Sequence, residues 1–264
     1  MNTLALGFDR TALELRMYSR EKEAVFFSFL FPILLLSLFS VIFSSQFDDP
    51  GGMTAGQYFL PGMVAAGVVL TSFQTMALSV ATERDDGTLK RLRSTPMPPV
   101  AYFLGKVGLV AVSSVTQMVL LLVVARLAFG VELPTSPDRW AVFAAVFLLG
   151  LVGGTVLGVA YSSLSTARSI GAVVIGPMLV LQFISGVYIG WDSVPGWLQQ
   201  VAAVFPLKWI AQGMRSVFFP DGMASTEMAG SWETGRTLLV LAAWAVGGLV
   251  LCTRTFRWSK RGTV

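Results

Sequence analysis

In the stretch ERDDGTLKRLRSTPMPP, Glu83 to Pro99, seven of the eleven residues from Glu83 to Arg93 are ionisable, although the charged fraction of the chain is only 13%. Glu83, Arg84, Asp85 and Asp86 precede Gly87; Lys90, Arg91 and Arg93 follow it. Acidic residues ahead of a helical turn and basic ones within it suit the turn's dipole. Thr88 to Arg93 therefore read as a short helix with Leu89 and Leu92 on one side, ended by Pro96 and stiffened by the prolines beyond. Such a cluster has the chemistry of docking: polar contacts, a small apolar face and a rigid return. By charge alone it is also an ordinary solvated loop. Bond-making chemistry finds little support. Histidine is absent, which removes the commonest general base and metal ligand. The sequence holds no G-x-x-x-x-G-K-[ST] loop, no G-x-S-x-G element and no metal-ligating cluster. The single cysteine, Cys252, excludes an intrachain disulfide. The chain is expected to be no enzyme by itself and to bind no cofactor or metal.

The elements that must position this cluster are apolar. Hydrophobic residues make up 54% of the chain, and uncharged runs extend from Ala24 to Phe47, Met53 to Thr82, Val107 to Ala125, Trp140 to Ala167, Ser169 to Trp191 and Thr237 to Thr253. Each accommodates about 17–25 residues of helix, enough to cross a hydrocarbon core. The expected fold is an all-α integral membrane protein, one domain over 1–264, with six transmembrane helices at about 24–45, 58–82, 101–129, 140–164, 169–190 and 236–254. Alternating the segments from an inside start puts fourteen of the 19 Lys and Arg residues, Lys106 among them, on the inner side. Both termini are then cytoplasmic, with Asp49 outside and Arg93 inside. The net charge of +4 reflects topology and calls for no nucleic acid partner. The spans read as free of carboxylates and of interior Lys or Arg, which argues against coupling to an ion gradient.

Residues 4–20 form an expected amphipathic helix at the membrane interface, with Leu4, Phe8, Ala12, Leu15 and Ser19 on one face. Gly150, Gly154 and Gly158 give span 4 a close-packing face, for a helix of this chain or, less simply, a dimer seam. The connection from Trp191 to Arg236 reads as two short external helices, 195–219, separated by Pro206. They are expected to be re-entrant or interfacial, since each is too short to span.

ATERDDGTLKRLRSTPMPPVAYFLGKV resembles the signature of type-2 ABC exporter permeases, in which E-R-x-x-G-T-L-x-x-L-x-x-[ST]-P links spans 2 and 3. Pro177, Ser185-Gly186-Val187, Pro195-Gly196-Trp197-Leu198 and Pro206-Leu207-Lys208-Trp209 with Arg215 resemble that family's region from span 5 onward. Phe205 stands where the family commonly has Asn. The resemblance implies a multi-pass permease of the bacterial cell membrane that pairs with a second permease protomer, in a homodimer or heterodimer, and with a separate nucleotide-binding ATPase subunit. ATP and Mg would sit on that ATPase. Loop 83–99 would carry the coupling helix, with Glu83, Arg84, Asp85, Asp86, Gly87, Thr88, Leu89, Lys90, Arg91 and Leu92 at the ATPase, and helix 4–20 would lie beside it.

The resemblance also implies a substrate path between spans 2 and 5. Thr71, Gln74 and Leu78 on span 2, and Met178, Gln182, Phe183, Ser185 and Tyr188 on span 5, are the candidates. Structural bridging between helices is the plain alternative for the two glutamines and the threonine. A path so lined is apolar with a few hydrogen-bonding groups, and suits a hydrophobic or amphipathic, drug-like compound. Export of a lipid or lipid-linked glycan, and a membrane scaffold or sensor that transports nothing, are the rival readings.

Overall fold

The computed structural model describes residues 2–47, 52–164, 166, 168–256 and 258, and their regular structure is entirely helical. Asp49, Ser165, Arg257, Lys260 and Arg261, which bear on the expected topology, lie outside the described residues. Helix α1 is Thr3–Arg20. Among the described residues, five further helices are long and apolar enough to cross a membrane: α2 (Lys22–Ile42), α3 (Ala55–Asp85), α5 (Pro99–Phe129), α6 (Pro137–Ser162) and α10 (Thr234–Thr255). The short α4 (Thr88–Arg93) joins α3 to α5.

The expected span at 169–190 is a shorter helix, α7 (Gly171–Ile184). At about 1.5 Å per residue its 14 residues reach about 21 Å, short of a hydrocarbon core. Its stop is local. Gly186 adopts φ +72°, and the Val187 amide returns to the Gln182 carbonyl at 3.2 Å, a glycine-capped helix end.

The two helices that follow differ from each other. Helix α8 (Gly196–Val204) buries only Ala202, whereas α9 (Pro206–Phe218) buries eleven of its 13 residues among α3, α6 and α10. An interfacial location therefore does not describe α9, which is a short helix held inside the protein. Its backbone ends can be satisfied there, as a buried half-helix requires. The glycine face of α6 is used within the chain: a Cβ at Gly158 would lie 2.6 Å from the Phe73 carbonyl oxygen on α3. The core runs along α3, whose first half is buried on all sides by α2, α5, α6 and α9.

Three helices contain a π-helical turn, at Phe26–Leu30 in α2, Leu70–Gln74 in α3 and Gly171–Ile175 in α7. These three border the groove described next.

Candidate substrate groove and coupling site

Helices α2, α3 and α7 enclose a groove of about 1020 Å³. Phe27, Phe31, Phe39, Leu70, Leu179 and Phe183 supply apolar wall; Gln74 and Gln182 supply amides; Arg20, Glu21, Lys22 and Glu23 form a rim of both charges. Of the expected path residues, Gln74, Leu78, Gln182, Phe183 and Tyr188 line this groove. Three do not. Thr71 is fully buried against α5, its hydroxyl 2.6 Å from that of Ser114. Met178 packs against the core, and Ser185 is fully buried where α7 ends. The Tyr188 hydroxyl donates to Gln182 Oε1, so the amide expected to face a substrate is engaged in this conformation.

The charged stretch divides in two. Leu89 is fully buried and Leu92 packs against the core, which anchors α4 to the bundle. Asp86 accepts from the Thr88 amide at 2.8 Å, Gly87 turns the chain at φ +81°, and Arg91 donates to the Asp86 carbonyl at 3.1 Å. Lys90, Arg91 and Arg93 point outward, and Asp85 is partly buried. Glu83 and Arg84, in contrast, are buried. Arg84 donates to the Ser162 carbonyl, fastening the end of α3 to the end of α6. A direct docking role for these two side chains does not fit their position.

Glu83 belongs to an ion cluster that the sequence reading missed. Lys106, 1% exposed on α5, lies 2.7 Å from Glu83 Oε1, 2.8 Å from Glu14 Oε2 and 2.6 Å from Ser79 Oγ. Arg10 Nη2 lies 2.6 Å from Glu14 Oε1 and 3.5 Å from Glu83 Oε1, and the Tyr102 hydroxyl donates to Glu83 Oε2 at 2.8 Å. Two cations and two carboxylates thus join α1, α3 and α5. The expectation that the spans lack interior charge fails here, because Lys106 lies two turns inside α5 and is matched from a helix outside the span.

Helix α1 turns its apolar face outward, as an interfacial helix requires, and its polar face into the bundle. Its buried residues are Gly7, Arg10, Glu14 and Tyr18, packed on α5, while Leu4 and Phe8 face outward. The signal was present: Gly7, Arg10, Glu14 and Tyr18 recur at helical spacing.

At the other end of the bundle, Arg215 Nε lies 2.7 Å from Glu227 Oε1, both groups buried. Lys208, 1% exposed, sits 4.1 Å from the Trp209 ring centre and 5.2 Å from that of Trp191, and donates to Gln212. Burial pushes the Lys208 ammonium down, to about 8.

Residues 11–219 match the family described as ABC-2 type transporter. The chain is 27% identical over 238 residues to the daunorubicin resistance ABC transporter permease protein DrrB1 of Streptomyces coeruleorubidus, covering 86% of this chain and 77% of that protein. It is 25% identical over 189 residues to the probable multidrug ABC transporter permease YbhR of Escherichia coli K12, covering 70% of this chain and 49% of that one. It is also 23% identical over 238 residues to the putative transport permease YvfS of Bacillus subtilis 168, covering 88% and 89%. The family match takes in the charged loop, the groove helices and α9, and on it the chain belongs to the ABC-2 type transporter family, as a permease subunit.

Proposed function

We propose that this chain is the membrane subunit of an ATP-driven exporter that moves a hydrophobic or amphipathic small molecule out of the cytoplasm or the inner leaflet. The groove carries the reading. Its aromatic wall fits a flat apolar body, its few amides orient polar substituents, and its two-signed rim can meet a charged group of either sign. In this account α7 is the sixth membrane helix, completed by the turn after Ile184, and both termini are cytoplasmic in the cell membrane.

A second protomer faces the side of α7 turned away from the groove, where Ala172, Gly176, Pro177 and Val180 are exposed. A separate ATPase subunit, holding ATP and Mg, docks on the outward basic face of α4. Glu83 and Arg84 act behind that surface, tying the loop to α1, α5 and α6.

The test uses proteoliposomes containing the chain and a candidate ATPase subunit sought among the genes neighbouring its own. Daunorubicin, the compound in the Streptomyces relative's name, is the first probe. The reading expects accumulation that requires ATP and both subunits. Failure of the two proteins to co-purify, with no ATP-dependent movement of daunorubicin or of a panel of lipophilic dyes, would replace it with the scaffold reading.

A further inference from the structure

We infer that Arg215 is a positioning residue that clamps the segment Gly186–Trp191 across one end of the groove, so that its release opens that end. The inference rests on the reading of the groove as a substrate path and names the element that closes it.

After α7 the chain turns at Gly186 and runs across the end of the groove remote from α4. Tyr188, within this segment, closes that end. Its ring meets Phe39 of α2 at 6.2 Å and Phe183 of α7 at 5.2 Å, both edge-on, and its hydroxyl is held by Gln182. The aromatic bar Phe39–Tyr188–Phe183 therefore spans from one wall to the other.

What holds the bar lies outside the groove, on α9. Arg215 Nη1 donates to the Gly186 carbonyl at 3.3 Å, at the start of the segment. At its end the Trp191 ring, 3% exposed, lies 5.8 Å from the Arg215 guanidinium and 5.2 Å from the Lys208 ammonium. Between these points the Val187 carbonyl rests against Gly62 of α3, where a Cβ would collide with it. One guanidinium thus touches both ends of the segment, and Glu227 fixes that guanidinium from behind.

Two observations distinguish a clamp from ordinary packing. A separate cavity of about 90 Å³, lined by Tyr58, Gly62, Trp191, Asp192 and Arg215, lies against the segment. That is space for a few water molecules and for movement. Arg215 Nη2 is also buried with no partner, as is Glu227 Oε2. A segment held by a few directed contacts beside free volume can lift; a close-packed one resists displacement.

The test places a reporter thiol in the groove, Ala66→Cys with Cys252→Ser, in membranes that contain the full chain and its ATPase. An impermeant charged maleimide is added from outside, and labelling is read on the folded fraction after gel filtration. Arg215→Ala is expected to raise the labelling rate by about tenfold, the change that loss of one charge-assisted hydrogen bond gives. Arg215→Lys, which keeps the charge and loses the fork, is expected to fall between. Because Arg215→Ala leaves Glu227 buried alone, Arg215→Ala with Glu227→Gln is the companion variant, with the same expected rise. Tyr188→Ala, which removes the bar itself, is expected to raise labelling at least as far.

A rise in Tyr188→Ala with no change in either Arg215→Ala variant would overturn the clamp. No change in any variant would overturn the segment as the closing element. A control thiol, Ala125→Cys at a fully buried position of α5, is expected to stay unreacted throughout. Its labelling alongside the reporter would mean general loosening and would also overturn the proposal. The assay needs neither ATP nor substrate, so it fails or succeeds separately from ATP-dependent transport.

Discussion

The two ends of this bundle bury charge in different ways. At the end that carries α4, Arg10, Glu14, Glu83 and Lys106 sum to zero, and each has an opposite charge within 3.5 Å. At the other end Arg215 has Glu227, but no carboxylate among the described residues lies within ion-pair distance of Lys208, which rests on two tryptophan rings instead. The first arrangement spans three helices and has no cheap intermediate, since removing one partner strands another in a dry site. The second uses softer contacts beside a cavity. A balanced cluster suits a joint, and the Arg215 clamp beside a cavity, with Lys208 on the same Trp191 ring, suits a catch.

The comparison is easiest to break at Lys106. Lys106→Met leaves Glu14 and Glu83 facing a single cation and is expected to destabilise the chain by about 3–5 kcal/mol. Adding Glu14→Gln restores charge balance, so thermal unfolding of the double variant in detergent should recover part of that loss. Additive damage would show that balance is not what matters.

Gly62→Ala should cost less, about 1–3 kcal/mol, because the Val187 segment can shift into the neighbouring cavity. Its distinguishing mark is faster external labelling of the Ala66→Cys thiol. A loss of stability without faster labelling would mean that the segment is not free to lift.

Lys208 provides a pH signature. With a folded value near 8 and an ordinary value near 10.4, the unfolded chain binds a proton between those limits that the folded chain does not. Stability therefore climbs as pH rises through that window and is flat below it. The midpoint of thermal unfolding should be higher at about pH 9.5 than at about pH 7.5, and Lys208→Met should remove that rise.

The smallest effect on stability is expected on the outward face of α4. Replacing Lys90, Arg91 and Arg93 together by Ala should change stability by less than about 0.5 kcal/mol per site. Co-purification of the ATPase should nevertheless fall sharply. Retention of the ATPase by the triple variant would move the docking surface elsewhere.

Period and charge placed much of this in the sequence, but not which surface each face would meet. The Leu89/Leu92 pattern between charges was enough to read a helix at Thr88–Arg93. The end of α7 was not legible, because an apolar run continues to Ile189 while Gly186 stops the helix through its backbone conformation. In α1 the apolar face was legible and the destination of the polar face was not. Hydrophobic periodicity assumes water on the polar side, and here that side meets Lys106 of α5. Helix α9 failed for the same reason, since Lys208, Gln212 and Arg215 look like a solvated face until their partners, distant in sequence or aromatic, are known. Thr71 shows the reverse, a polar residue on a helical stripe whose partner is another helix.

The difference between joint and catch is tested most directly by hydrogen–deuterium exchange on the transporter purified with its ATPase, without nucleotide and with trapped nucleotide. The account predicts faster exchange across Gly186–Asp192 in the trapped state. It predicts no change in the amides of α1, of the last turn of α3 or of the first turns of α5. Faster exchange around Glu14, Glu83 and Lys106, with Gly186–Asp192 unchanged, would contradict it.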